Sequence, residues 1–572
     1  AQVPPTLTGV LQARVDSLPP REKLTLQQAS VIGVAFWDQA LAAIDAQAPM
    51  ALPSLVQRGL LVPHENTTLE GQREFAIKNQ VLQQVIYDGL LRRDRRAWHA
   101  CIAGWLGRIE GSRAREALGL AAQHYERAGD LAQAGRYYTR AAEDAAARYA
   151  NSAMLSFVER ALALTDPADH QTRWRAHLVR ERHLVDTTDQ SAHESDLQTL
   201  ADLAERLDDR DKRIVVALRR AATLRGGGDY AGAEAAGRQG LALAQPLERS
   251  ALAVELCGGL ADSLIGAGKY EAAREIAEQG LQLAQERGDR LGESVLVNAL
   301  GLIAMEQGEL TVAAAHFEAS LVISREVGDP HAEGLRLNNL GSVYPRLGDY
   351  ARARSHLERG LQLARRIGHR STEAALLLNT ASVAHLQGDD TAALALANAA
   401  LDAAAGSGQR DLEAFARLVA GHAELGLGRH AAARAAYTES RDMLRALTLR
   451  SQQVYDPISG LARVALAEGR LGLALEQVEL MMAHMAAGGN FDGTEEPLLL
   501  PLTCWQVLHA AGDPRTAEVL AAAHAELQAQ AARITDPQAR RCFLQQVPHH
   551  REIVAAWVRS TQPQAAATLA AR

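Results

Sequence analysis

The chain has 572 residues, 47% of them apolar but only 4% aromatic, and a formal net charge of −8. It is too long for one compact core, and a composition led by alanine, leucine, arginine and glutamate favours helix over sheet. The negative balance gives nucleic acid or an anionic membrane no electrostatic attraction. No apolar run approaches the roughly 18 residues of a membrane span, and no signal peptide opens the chain. Cys101, Cys257, Cys504 and Cys542 form no CxxC pair, so neither a disulfide framework nor a zinc site is expected, and a cytoplasmic setting is. A recognisable element begins almost at Ala1, so the sequence reads as part of a longer protein cut on its N-terminal side.

Residues 1–110 predict three helices, at 6–17, 20–32 and 36–46. Two short strands follow, Leu60-Leu61-Val62 and Glu74-Phe75-Ala76-Ile77, on either side of a polar stretch from His64 to Gln72. Three helices followed by two strands around a polar wing predict a winged helix with a small β-hairpin. Helices resume from Lys78 through Leu106. Residues 111–208 predict irregular helical repeats, with an extra helix near 150–205.

From residue 209 to 535 a period takes over. Glycine turns stand at Gly228, Gly268, Gly308, Gly348, Gly388, Gly428, Gly469 and Gly512, spaced by 40 five times, then by 41 and 43. A second series, Gly288, Gly328, Gly368 and Gly408, falls midway between them, where a glycine just past a helix end takes a left-handed cap. Each unit is therefore a hairpin of two helices. Five residues after the turn comes an alanine: Ala233, Ala273, Ala313, Ala353, Ala393, Ala433, Ala474 and Ala517, with Ala134 after the earlier turn at Gly129. Seven residues before the turn the chain is small again, as at Ala261, Gly301, Gly341, Ala381 and Gly421. Larger residues nine past it (Tyr138, Phe317, Leu357, Tyr437, Val478) are expected to fill the next layer. Residues 536–572 predict a terminal helix and tail.

The run Leu337-Asn338-Asn339-Leu340-Gly341-Ser342-Val343-Tyr344, then Gly348-Asp349-Tyr350 and Ala353, resembles the tetratricopeptide repeat. The last unit departs, with Trp505 where a small residue belongs, as terminal repeats do when one face has no neighbour. The first hundred residues resemble the winged-helix segment that follows the nucleotide-binding core of STAND signalling ATPases. The likeness rests on Leu7, Leu11, Arg14, Leu18-Pro19, Ala29 to Gly33, Phe36, Phe75 to Tyr87, Leu90-Leu91 and His99. Arg540, Arg541, Phe543, Leu544, Val547, Arg551, Ile553 and Trp557 resemble the terminal segment of such proteins. The resemblance implies an upstream ATPase domain as partner and a nucleotide-sensing position at Asn79. There the family usually carries a histidine that touches the bound phosphate, and asparagine cannot carry its charge. The ATPase core is absent: no GxxxxGK[ST] occurs, and Gly268-Lys269, which comes nearest, lies in a repeat turn. ATP binding and hydrolysis by this chain, and a cofactor in it, are not expected.

No HExxH, GxSxG or GxGxxG occurs, and the adjacent His549 and His550 cannot both face one ion on a helix, so neither a catalytic nor a metal site is expected. The Arg92, Arg93, Arg95, Arg96 cluster reads as a surface or interdomain feature. The first helix of each repeat lines the concave face in the tetratricopeptide family. Asn298, Asn338, Asn339 and Asn379 fall there, and carboxamides both donate and accept, as the backbone of an extended peptide requires. Leu302, Met305, His385 and Phe415, with Leu418, would supply pockets.

The expected fold is therefore all-α: a winged helix followed by a right-handed superhelical solenoid of about ten helical hairpins. The expected function is a sensor and scaffold region of a STAND-type ATPase, binding a protein or peptide in the groove and relaying occupancy upstream. Two alternatives stand beside it. One is the regulatory region of a class III nucleotide cyclase or a protein kinase. The other is a transcription regulator reading DNA through the winged helix, although the segment Ala51 to Arg58 offers only Gln57 and Arg58 as readers. Nucleic acid and membrane are not expected partners, and self-association is left open.

Overall fold

The structure is a computed structural model that describes residues 5–64, 67, 72–109, 114–148, 150–184, 190–245, 252–405, 409–447, 452–491 and 493–561. Gly408, the Leu7 side chain and most of the polar stretch between His64 and Gln72 lie outside the described residues. The chain divides into two compact units, one made of residues 1–185 and 191–208, the other of 186–190 and 209–572.

The first unit opens with α1 (Pro5–Asp16), α2 (Pro20–Ile32), β1 (Ala35–Trp37), α3 (Asp38–Ile44), α4 (Leu52–Gln57), β2 (Leu61–Pro63) and β3 (Glu74–Ile77). The hairpin of β2 and β3 is present, but it belongs to a three-stranded antiparallel sheet in the order β1-β3-β2. That corrects the expected helix at 36–46, which starts only at Asp38. Ala35–Trp37 is too short to show a period, yet Phe36 pairs with Phe75 across the strands and their rings stack with centroids 5.9 Å apart. Leu26, Phe36, Leu41, Leu55 and Leu60 are fully buried beneath the sheet.

Five helices follow the next pair, α5 (Gln80–Asp88) and α6 (Arg92–Leu106). They are α7 (Ala114–Ala128), α8 (Leu131–Ala147), α9 (Asn151–Leu164), α10 (His170–Leu184) and α11 (Gln190–Arg206). A buried polar cluster joins the last two: His177 Nδ1 meets Asp196 Oδ1 at 2.8 Å, and Arg180 Nε donates to Asp196 Oδ2 at 2.7 Å. Asp196 thus has both carboxylate oxygens paired, while His177 Nε2 is buried without a partner.

The second unit is an α-α solenoid. Its hairpins are α12 (Arg210–Gly226) with α13 (Tyr230–Leu243), α14 (Ala253–Gly266) with α15 (Tyr270–Arg287), and α16 (Arg290–Glu306) with α17 (Leu310–Val327). Then come α18 (Pro330–Arg346) with α19 (Tyr350–Ile367), α20 (Arg370–Leu386) with α21 (Asp390–Ala404), and α22 (Arg410–Gly426) with α23 (His430–Ala446). The array ends in α24 (Tyr455–Ala467) with α25 (Leu471–Ala486), α26 (Leu499–Ala511) with α27 (Thr516–Arg533), and α28 (Pro537–Gln545) with α29 (Pro548–Thr561). Aspartates cap the helix starts: Asp289, Asp349 and Asp389 each accept from the backbone N–H three residues on.

The alanines five past the turn, from Ala233 to Ala474, are wholly buried, with one exception at the end of the series. Ala517 is exposed, which corrects the expectation for it. In the hairpins from α12 to α25 the second helix begins two residues after the turn glycine. After Gly512 it begins at Thr516, four residues on, so the buried place passes to Val519 and Leu520.

The array does not stay open. Its last helices reach back to the turns that follow α16 and α18. Leu310, Tyr344 and Leu347 share one apolar cluster with Leu498, Leu527, Ile534, Phe543 and Ile553. Arg533 Nη1 donates to the Gln307 carbonyl at 3.0 Å, and the Tyr350 hydroxyl to the Gln546 carbonyl at 3.2 Å. The terminal hairpin therefore does have a neighbour. Trp505 fills the space between this cluster and the one around α24 and α25, which gives its departure from the small-residue pattern a packing reason. Among the described residues no helix is long and apolar enough to cross a membrane.

Candidate functional site

Closure encloses a cavity of about 500 Å³. One wall is the inner face of the repeats, with Met305 on α16, Asn338, Asn339 and Ser342 on α18, Asn379, Ser382 and His385 on α20, and Phe415, Leu418 and His422 on α22. The opposite wall is the returning segment: residues 493–498, Glu526 and Arg533 on α27, then Phe543, Val547, His549 and His550. The inner face of the repeats is thus walled on a second side by the returning segment.

The asparagines form a ladder. Asn379 Nδ2 donates to Asn338 Oδ1 at 2.9 Å, and Asn339 Nδ2 to Asn298 Oδ1 at 2.8 Å. A carboxamide has two donors and two acceptor lone pairs, and each of these contacts uses one donor and one acceptor. Asn338, Asn339 and Asn379 line the chamber. Asn298, only 9% exposed, does not. With Leu302 it lines a second cavity of about 490 Å³ on the inner face of α12, α14, α16 and α18. Of the residues singled out in the sequence, the chamber gathers Asn338, Asn339, Asn379, Met305, His385 and Phe415, and excludes Asn298 and Leu302.

Four histidines concentrate at one end of the chamber. His385 and His422 stack with centroids 5.4 Å apart, and His549 and His550 meet edge-on at 4.5 Å. His385 Nδ1 donates to Asp390 at 2.6 Å, His422 Nδ1 bonds the Tyr437 hydroxyl at 2.7 Å, and His550 Nδ1 donates to the Phe543 carbonyl at 2.8 Å. Burial first, then neighbouring cations and histidines, pushes His549 down to about 3 and His422 and His550 well below the ordinary histidine range. His422, His549 and His550 are therefore neutral at pH 7 and present a polarisable, uncharged surface. Among the described residues no group of three or more histidine, cysteine or acidic side chains is arranged to hold a metal.

Asn79, the nucleotide-sensing candidate, is the N-cap of α5: its Oδ1 accepts from the Val81 N–H at 2.7 Å. Lys269, in the turn nearest a phosphate loop, pairs instead with Glu234 at 2.7 Å. Residues that sequence reasoning missed include Arg533, Phe543 and the 493–498 segment, together with Arg225, Asp262 and Arg336 in the second cavity. No periodicity signals them, because the contacts that bring the returning segment to the chamber span up to 226 positions in sequence.

A tetratricopeptide repeat model matches residues 293–366, the stretch from α16 to α19. The hairpins on both sides keep the same period, and the fold is a tetratricopeptide-type α-α solenoid. No curated protein matches the chain. Among solved structures, the STAND protein with a tetratricopeptide repeat sensor from Pyrococcus horikoshii is 14% identical at TM-score 0.39. The match covers 85% of this chain and 66% of that one, so the chain spans just under two thirds of that protein. The Cut9–Hcn1 assembly of the APC/C is 12% identical at TM-score 0.47, covering 89% and 90%. The apo quorum sensor NprR from B. thuringiensis is 14% identical at TM-score 0.42, covering 61% and 97%.

Proposed function

We propose that the chain is a ligand-sensing scaffold that takes a short peptide into the chamber between the repeats and the returning C-terminal helices. The observation that carries this reading is the chamber itself. It combines an asparagine ladder on one wall, apolar side chains such as Phe415 and Leu418 between the amides, and a closing wall made of other chain elements. Carboxamides in register suit a peptide backbone, and apolar pockets suit alternate side chains. A volume of about 500 Å³ fits a few residues rather than a long extended segment. Because one wall belongs to helices 200 positions downstream, a ligand touching both walls would stabilise the closed form over an open one.

The wider reading, a sensor region that reports to an upstream STAND-type ATPase, is supported by the first unit. The order α2-β1-α3-α4-β2-β3, with the sheet β1-β3-β2, supports reading this segment as a winged helix. DNA reading is less favoured: α4 has only six residues, Leu52 and Leu55 face the core, and Arg58 is held by Glu22 at 2.7 Å. The relay reading expects a phosphate-loop ATPase to be encoded ahead of Ala1.

The test is peptide capture. The chain is exposed to the peptide fraction of a lysate, washed, and eluted in acid for mass spectrometry, beside Ser382→Trp, which fills the chamber. Short peptides enriched on the wild type and absent from Ser382→Trp are expected. Equal recovery from both, or none from either, would overturn the chamber as the site.

A further inference from the structure

The second cavity holds a buried guanidinium with unpaired donors. Arg336, on α18, is only 5% exposed. Its Nε donates to Ser320 Oγ at 2.8 Å, within a web in which Ser294 Oγ also meets Ser320 and Ser324. Its two terminal nitrogens have no hydrogen bond, and the guanidinium no ion pair, among the described residues. Burial lowers Arg336 to about 10, so it remains charged at neutral pH. The acid inside the cavity is Asp262, which already faces Arg225 Nη1 at 3.7 Å. Asp329, at the rim, is occupied as the N-cap of α18, accepting from the His331 and Ala332 N–H groups. His331 Nδ1, another lining atom, is buried without a partner. Asp262 and Asp329 both act on Arg336 through space, yet neither reaches its terminal nitrogens, and buried donors left unpaired are costly.

Part of the lining is apolar and open. Leu291, Val295 and Leu335 are 46%, 37% and 36% exposed, unusual for large apolar side chains clustered around a buried cation. A planar guanidinium whose two Nη atoms are free offers the fork that a carboxylate accepts in bidentate fashion. Asp262 and Asp329 line the same cavity and oppose a second negative charge.

We propose that this cavity binds an apolar monocarboxylate, with the carboxylate on Arg336 beside Arg225 and the hydrocarbon along Leu291, Val295 and Leu335. The carboxylate could come from a free aliphatic acid or from the C-terminal apolar residue of a peptide. The site is separate from the chamber and does not depend on what the chamber binds.

The test is calorimetric titration of the whole chain with hexanoate, N-acetyl-leucine and the neutral hexanamide. At least one of the two acids should bind at least tenfold more tightly than hexanamide. The tighter of hexanoate and N-acetyl-leucine identifies the source. Arg336→Gln should weaken acid binding at least tenfold, and Asp262→Asn should strengthen it severalfold by removing one competing charge. Ser382→Trp should leave it unchanged, since that substitution fills the other cavity. If Arg336→Gln does not fold, Asp262→Asn and the acid-to-amide ratio still decide. The proposal fails if neither acid binds, if hexanamide binds as well as the acids, if Asp262→Asn weakens binding, or if Ser382→Trp abolishes it.

Discussion

A Cβ on Gly301 would lie 2.6 Å from Cε1 of Phe317, the ring that packs on it from the partner helix of the hairpin. The two positions, seven before the turn and nine after it, share a fixed volume. Gly421 faces Tyr437 and Gly341 faces Leu357, whereas Ala261 shares a cluster with Ala277, and Ala381 with Ala397. Gly301→Ala should gain about 1 kcal/mol of helix propensity but lose more to overpacking, about 1–3 kcal/mol. Phe317→Ala alone should cost about 3–5 kcal/mol. The double variant recreates the alanine–alanine pair of the neighbouring repeats, so denaturant titration should show a favourable coupling of at least about 0.5 kcal/mol. Strict additivity would mean that the two positions are not one packing unit.

Ala353→Leu should cost about 1–3 kcal/mol, because Ala353 has no exposed surface and its hairpin crosses there. Ala517→Leu should stay within about 0.5 kcal/mol of the wild type, since the two-residue delay after Gly512 turns it to solvent. Equal melting losses in the two variants would overturn the register assigned to the last repeat.

This contrast marks what the sequence makes legible. A period of glycine, alanine and bulky residues fixes hairpins, crossings and the inner face, because each repeat contacts its neighbours. Ala517 misleads because its spacing from the glycine is right while the helix starts late. The strand through Phe36 escapes notice because three residues carry no period. The candidate site was half legible: Asn338, Asn379 and Phe415 sit on a face that periodicity defines. Phe543 and Arg533 reach the same chamber only through closure, and Arg336 looks in sequence like one more helical arginine.

Closure can be tested at one glycine. Gly348 has φ +77°, and a Cβ there would stand 2.6 Å from the Cys542 carbonyl oxygen, a backbone atom that cannot swing aside. Gly388 has φ +83° with nothing within 4 Å. Both alanine variants incur the left-handed backbone cost of about 1–2 kcal/mol. Gly348→Ala should lose at least about 1 kcal/mol more and should make α28 and α29 cleavable by low protease concentrations. Equal losses and equal protection would show that the returning segment is not seated on that turn.

Acid should loosen the first unit at α6 and α7. Tyr87 bonds His99 Nε2 at 3.0 Å, and His99 Nδ1 meets His124 Nδ1 at 2.8 Å, an arrangement in which the accepting ring must be neutral. Burial, with nearby arginines, lowers His99 to about 4; burial and then His99 lower His124 to about 3. Both folded values lie below the ordinary 6.5, so below that pH the unfolded state binds more protons than the folded one. Stability is therefore present above pH 6.5 and falls as pH drops towards 4 and then 3, by up to about 1.4 kcal/mol per pH unit for each ring. Between pH 7.5 and 5.5 amide exchange in α6 and α7, corrected for intrinsic rates, should accelerate, and less so in His124→Gln. Ring resonances of His99 and His124 that titrate in that interval would contradict the assignment.

The asparagine ladder should behave as a coupled pair rather than as independent ligand contacts. Asn298 is 9% exposed and its carbonyl oxygen accepts from Asn339 Nδ2. Removing either carboxamide strands the other in a largely desolvated place, at about 1–3 kcal/mol. Asn298→Ala and Asn339→Ala should therefore each lower the melting temperature. The double variant should cost little more than either single one, because nothing is then left unpaired. Binding should divide differently: Asn339 faces the chamber and Asn298 the second cavity, so peptide capture should suffer in Asn339→Ala more than in Asn298→Ala at matched stability. If the two single variants are thermally silent and their double is additive, the ladder carries no structural load. A parallel loss of capture in both would then assign the amides to the ligand alone.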